Sequence, residues 1–296
     1  MASGFTTRRR RTALVVCATL LAAIAPSTAA ASELIARDAT NVRLQADAQG
    51  RALVAFRSGG QTRQLLASGA VNARPPNPSQ AQVAFKLQYG GTIGPNVCGA
   101  YKGPPLAWKV AACTALDGTH WAVQAWQRML PNYGVAPTPK NGAWELRLSH
   151  WSGELAKLEI WTDWSYKRFH HLYGRLTYGD GGVFGYRSTR FGVPLDSHGR
   201  NIYVDTFGSA YGPGWERENS FLTHRPTGGF CYGFYPHGKF GVGAGKKYRA
   251  TVIGPGVTPD VMWEGPAPAA LDPTAEAQAN EAQRAVLGND PACKVN

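Results

Sequence analysis

The chain is expected to fold as an all-β protein, an antiparallel β-sandwich or barrel-like body followed by a short C-terminal α-helix. Three observations carry this expectation. Residues 85–263 are rich in β-branched and aromatic side chains and are broken repeatedly by Gly, Asn-Gly and Asp-Gly, the spacing of many short strands. The preceding segment, residues 33–73, reads as a small meander. Helical periodicity is confined to residues 274–287.

In chain order, strands are expected at residues 42–46, 52–57 and 61–67, joined by turns at 47–50 and 58–60. Only Phe5 and Phe56 of the aromatic residues precede Phe85, so this trio differs in composition from the rest of the chain. Pro75, Pro76 and Pro78 form a stiff connector. Four segments result: a signal peptide at 1–31, a meander lobe with its connector at 32–79, a main β domain at 80–265, and a helix with tail at 266–296.

Residues 143–151 and 155–164 predict a hairpin. Trp144, Leu146 and Leu148 share one face, as do Leu158, Ile160 and Trp164. A three-residue turn at Ser152, Gly153 and Glu154 sets Leu148 against Leu158 and Arg147 against Glu159, a favourable cross-strand pair. Further strands are expected at 172–178, 183–189 and 201–207, with turns at 179–182 and 196–199. Residues 254–273 look like a proline-rich extended connector. The helix would bury Ala275, Ala279, Ala282 and Val286, end at Gly288, and dock through Cys293.

The first residues carry an address. Arg8 to Arg11 precede the apolar stretch 12–25, then Pro26 and the small residues 27–32. That is a basic n-region, a short h-region and an A-x-A-like cleavage region. The apolar run falls short of the roughly 20 residues needed to span a bilayer. Cleavage is expected near Ala30 or Ala31, by either the general secretory or the twin-arginine route, giving a secreted, extracytoplasmic protein with no transmembrane segment. The full chain has a net charge of +12, and losing four arginines and no acid leaves +8. A basic surface favours anionic partners. No Lys/Arg block remains after the signal, which argues against nucleic acid.

Cys98, Cys113, Cys231 and Cys293 remain after the signal, an even number in an oxidising compartment. Of the three possible pairings, Cys98–Cys113 and Cys231–Cys293 are favoured. The first closes a short loop, worth about 3 kcal/mol by loop entropy. No C-x-x-C occurs, and the seven histidines show no H-E-x-x-H spacing, so no metal or cofactor is expected. No G-x-S-x-G offers a nucleophile.

Trp151, Trp161 and Trp215 are the candidate sugar platforms, because an indole stacks on the C–H face of a sugar while carboxylates accept from its hydroxyls. Asp163, Asp205, Glu216, Glu218 and His224 supply the polar candidates; the glycine-interleaved segment 205–240 is the densest in such residues. Glu159 and Asp163 make a poor catalytic pair, since i and i+4 on a strand lie about 13 Å apart.

The run from Trp144 to Gly153, with 217–221 (Arg-Glu-Asn-Ser-Phe) and 250–257 (Ala-Thr-Val-Ile-Gly-Pro-Gly-Val), resembles an uncharacterised family of secreted actinobacterial-type proteins. The resemblance covers most of the chain after the signal. It implies export and a single-family architecture, and it transfers no functional residues. The leading expectation is binding of extracellular glycan or cell-wall polymer. A secreted carbohydrate-active hydrolase or lyase, with Glu216, Glu218, Asp205 or His224 as acid–base groups, and a structural envelope protein are the alternatives.

Overall fold

Two-residue alternation and tight turns dominate the local structure. The computed structural model describes residues 1, 32–75, 82–127, 143–164, 170–183, 202–209, 212–217, 220–224, 228–234, 245–267 and 272–288. Nine strands build a first sandwich: β1 (Glu33–Arg37), β2 (Thr40–Ala46), β3 (Ala52–Ser58), β4 (Gln61–Ser68), β5 (Lys86–Tyr89), β6 (Gly99–Ala100), β7 (Lys109–Thr114), β8 (His120–Gln127) and β9 (Trp144–Trp151). Its two antiparallel sheets run β2-β3-β4-β5 and β1-β9-β8-β7-β6. Val54, Phe56 and Leu65 of one sheet meet Ile35, Trp121, Val123, Leu146 and Leu148 of the other in a common core. The expected meander is present, and it shares this core with strands beyond the proline connector. Cys98 and Cys113 are disulfide-bonded, with Cα atoms 5.6 Å apart.

The second sandwich holds β10 (Lys157–Trp164), β11 (His170–Tyr178), β12 (Gly181–Gly182), β13 (Ile202–Ser209), β14 (Gly212–Arg217), β15 (Ser220–His224), β16 (Gly229–Phe234), β17 (Lys247–Val252) and β18 (Val261–Pro266). Sheet β10-β11-β16-β15, with β12 on β11, faces sheet β14-β13-β17-β18. Between them lie Ile160, Leu172, Leu176, Val204, Phe230, Tyr248, Ala250 and Val252. The β11–β12 turn has Gly179 at φ 52° and Asp180 at φ 59°, the positive pair a type I′ hairpin requires. The expected strand at 183–189 and the turn at 196–199 fall outside the described residues, apart from Val183.

The expected hairpin between residues 143–151 and 155–164 does not form. β9 sits between β1 and β8, so Arg147 lies opposite Leu34 and Gln124. β10 pairs with β11, so Glu159 lies opposite Arg175. The intended turn is pinned elsewhere. The Ser152 amide donates to Asn72 Oδ1 at 2.8 Å, and Asn72 Nδ2 donates to Ser152 Oγ at 3.1 Å. The His150 amide donates to the Val257 carbonyl. These contacts send the chain across to the second sandwich instead of back along β9.

The expected connector at 254–273 is also corrected. Its prolines flank a real strand, β18, and residues 251–260 are buried between the sandwiches. Gly256, at φ 52°, passes so close that a Cβ would lie 2.8 Å from the Ala73 Cα. Only glycine fits that approach.

Helix α1 (Pro273–Leu287) starts on Asp272, whose carboxylate accepts from the Thr274 and Ala275 amides, and ends on Gly288, whose N–H returns to the Arg284 carbonyl. Its buried side differs from the expected alanine face. Asn280 and Gln283 are buried, Ala279 and Val286 are half-buried, and Ala275 and Ala282 are exposed. The helix packs on the outside of β10, β11 and β16, where Val286 meets Tyr173 and Cys231. Cys231 is disulfide-bonded; the expected partner Cys293 lies outside the described residues. Among the described residues no helix is long and apolar enough to cross a membrane.

Candidate functional site

Two clusters of arginine and carboxylate lie where the sandwiches meet. The first grows from β9. Leu146 and Leu148 face the core, so alternation turns Glu145, Arg147 and Ser149 to the opposite side. The Arg147 guanidinium donates to Glu145 Oε2 from Nη2 at 2.7 Å and from Nε at 3.2 Å, and to the Ser32 carbonyl at 2.8 Å. Asp260, from the buried 251–260 loop, stands 3.9 Å from Arg147 Nε. Its carboxylate accepts from Trp126 Nε1 at 2.6 Å, from the Gly254 amide at 3.1 Å and from Ser32 Oγ. Burial pushes its pKa up, against the pull of Arg147 and these bonds. For Arg147 burial opposes the charge, yet Asp260 and Glu145 outweigh it and raise the pKa. Gln124 completes the set by donating to the Asp260 and Ala107 carbonyls and accepting from the Asp260 amide.

The second cluster grows from β13. Val204 and Thr206 point inward, so Tyr203, Asp205 and Phe207 point outward. The register sets Asp205 between Arg217 on β14 and Arg249 on β17, and Phe207 between Trp215 and Lys247. Asp205 takes the Arg217 Nε bond on Oδ1 and two Arg249 bonds on Oδ2, at 2.8 and 3.2 Å. The Arg249 guanidinium lies over the Trp215 ring at 4.2 Å and over the Trp108 ring at 4.7 Å, both within cation–π range. Trp108 comes from the other sandwich and holds φ 58°. A left-handed backbone is a costly setting for a bulky side chain. It is held there by a hydrogen bond from the Ala125 amide to its carbonyl at 2.9 Å. Phe207, 37 % exposed, rests against Trp215, and Arg217 Nη1 is buried with no hydrogen-bond partner among the described residues. Lys247 stands at the rim, bonded to Glu264 at 2.9 Å.

The residues expected to form one groove are therefore divided. Trp151 is fully buried in the first sandwich, tilted against His120 and Tyr101, and offers no ring face to a ligand. Its expected role as a surface platform is corrected: β9 is central in its sheet and covered on both sides. Trp161 is 38 % exposed on the outer face of β10 and stacks on Tyr173 at 5.6 Å. Trp215 belongs to the opposing sheet of the same sandwich, with the core between them. Asp205 is committed to two arginines. Glu216 lies opposite Thr206, its pKa raised by burial and then by the Asp205 charge. Asp163 lies opposite His171 on β11 and His224 opposite Phe230 on β16. Glu218 lies outside the described residues. No group of three or more His, Cys, Asp or Glu among the described residues is arranged to hold a metal ion. A separate depression of about 610 Å³ is lined by Thr62, Arg63, Gln64, Tyr89 and Gly90.

Sequence reading missed Trp108, Arg249 and Phe207, and with them Glu145, Arg147 and Asp260 as a network. One signal was available: Asp205/Phe207 and Lys247/Arg249 alternate in step, which marks two polar-aromatic outer faces. No family model, curated protein or solved structure matches the chain.

Proposed function

We infer that the protein is exported and binds an acidic extracellular glycan or cell-wall polymer at the Trp108–Arg249–Trp215 face. The observation that carries this reading is the Arg249 guanidinium within cation–π distance of two indoles, at 4.2 and 4.7 Å, beside the exposed Phe207 ring. Flat rings offer stacking surface for sugar C–H groups, and Arg249 and the exposed Lys246 supply positive charge, with Lys247 balanced by Glu264. The strained Trp108 backbone supports the same reading, because such strain concentrates at functional sites. The excess of basic residues and the signal-like first 31 residues point to an anionic partner outside the cell. The resemblance to secreted actinobacterial-type proteins fits that compartment.

A hydrolase or lyase finds less support. Both oxygens of Asp205 are taken by guanidinium groups, which removes it as the acid of that reading; Glu216 is the remaining candidate whose side chain is described. The test is retention on an acidic polysaccharide, its neutral counterpart and insoluble cell wall. Trp215→Ala is expected to weaken retention on the acidic polymer at least tenfold while Tm moves by a few degrees. Unchanged retention sinks the reading. Lost retention with an unfolded protein makes the cluster cement between sandwiches instead.

A further inference from the structure

We propose that export cleavage falls between Ala31 and Ser32, and that the freed Ser32 ammonium locks into the seam beside Asp260. The inference rests on the export reading of residues 1–31. Ser32 is only 2 % exposed, and both of its oxygens are engaged across the seam: Oγ on Asp260 and the carbonyl on Arg147. Ala29 and Ala31 stand at the −3 and −1 positions of that bond. Hydrolysis by a membrane signal peptidase adds one water, leaving a carboxylate on Ala31 and an amine on Ser32 that protonates near neutral pH.

Covalent geometry places that amine. Three bonds separate the Ser32 nitrogen from Oγ, and Oγ touches Asp260, so the ammonium would lie within about 6 Å of the carboxylate. Arg147 is the cation already near Asp260, at 3.9 Å, and its Nη1 also donates to Ser32 Oγ at 3.4 Å, but the groups hydrogen-bonded to the Asp260 carboxylate, Ser32 Oγ, Trp126 Nε1 and the Gly254 amide, are all neutral, and the short Arg147 bonds go to Glu145. A second group points the same way. Antiparallel pairing of Glu33 with Leu148 puts Ser149 next to Ser32, on the side of β9 that carries Arg147. Ser149 is 0 % exposed and its Oγ has no hydrogen-bond partner among the described residues. An ammonium brings three donors, enough for Asp260 and Ser149 together. Removing the signal would thus do more than release the chain; it would complete the joint between Ser32, β9 and the 251–260 loop.

The experiment starts from the full chain expressed in an exporting host. Sequencing of the released protein is expected to begin at Ser32, and another starting residue overturns the inference while leaving export intact. Absence of any released, shortened protein overturns the export reading itself. In the folded released protein, an amine-acylating reagent at pH 7 is expected to label lysines and spare the Ser32 amine at least tenfold relative to the denatured protein. Asp260 raises the amine pKa against the opposing charge of Arg147, and the stability this contributes is complete below about pH 8 and falls as pH climbs through the raised value. Tm is therefore expected to drop between about pH 8 and 10, and Asp260→Asn is expected to abolish both the drop and the protection. Should Asp260→Asn fail to fold, Ser149→Ala serves, with partial loss of protection. A Ser32 amine labelled as fast as surface lysines in the native protein overturns the lock.

Discussion

The two arginine clusters use the same parts in opposite proportions. Around β9, two carboxylates gather on one buried guanidinium, and the centre is sealed by Trp126, Gln124 and the 251–260 loop. Around β13, two guanidinium groups share one carboxylate, and the outer one is half-wrapped by indoles at an open edge. The first arrangement has the chemistry of a joint, since its bonds tie β9 to Ser32 and the 251–260 loop away from solvent. The second is the cluster proposed to accept an anion. The difference teaches that an ion pair's place in the fold, more than its residue types, decides whether it holds or binds.

The largest effect that would sharpen this comparison is Arg147→Met. Removing the guanidinium leaves Glu145 and Asp260 buried without their shared cation, a loss of about 3–5 kcal/mol. The counterpart Asp205→Ala leaves Arg217, 3 % exposed, as a buried charge without its carboxylate, while Arg249, 13 % exposed, can turn toward water, so the expected cost is about 3 kcal/mol, at the lower end of that range. Denaturant unfolding of both variants checks the order. Equal losses would erase the distinction between joint and surface.

Acid sensitivity separates the two clusters next. His150, at the seam end of β9, stacks on Trp121 at 3.7 Å and donates from Nδ1 to the Ala70 carbonyl at 2.7 Å. Its Nε2 meets the Thr119 hydroxyl, which is tied to Asp117, and His120 lies nearby. Burial pushes the imidazole down to about 4, despite the opposing pull of the Ala70 carbonyl and Asp117. A base with a depressed folded pKa contributes stability that is complete above the unfolded value near 6.5 and is lost as pH falls toward 4. The loss amounts to ~3 kcal/mol by pH 4. Asp260, raised by burial, works in the other direction, so the measurement is the difference between the wild type and His150→Asn. A shallower pH slope in the variant is the expected result, and identical slopes would remove His150 from the seam's acid response.

Sequence range decides how much of this was legible. The meander, the Gly288 end of α1 and the Cys98–Cys113 bridge are set by neighbours within a short stretch of chain, and they appear as the sequence predicts. The 143–164 hairpin failed for the opposite reason. Its alternation suited any apolar partner, and β8, Asn72 and Val257 compete from a distance that local pattern does not encode. Asp205 and Trp215 share the outer face of their sheet, while Glu216 alternates to the Thr206 side; Arg249 and Trp108 join the first two only through long-range pairing and the seam between sandwiches.

A smaller effect tests whether strain serves binding. Trp108→Gly relaxes the left-handed backbone and removes one indole from Arg249. The indole also packs on Trp126, Tyr203 and Ile253, so the packing loss outweighs the backbone relief and the net stability loss is expected to be about 2 kcal/mol. Retention on acidic polymer is expected to fall at least tenfold. Full retention would confine binding to Trp215 and Phe207, with Trp108 as packing alone.

The smallest effect comes from the opposite sheet. Trp161 is exposed and stacked on Tyr173, away from both clusters. Nearby charge is balanced locally, with Lys157 paired to Glu159 at 3.1 Å. Trp161→Ala is expected to cost about 1 kcal/mol, the size of one aromatic pair, and to leave retention on acidic polymer unchanged. If this substitution abolishes retention while Trp215→Ala does not, the binding surface lies on the β10–β11 face. The open cluster around Asp205 would then be a second joint, and ring exposure on a neutral sheet face would outweigh cation–π geometry as the mark of a ligand surface.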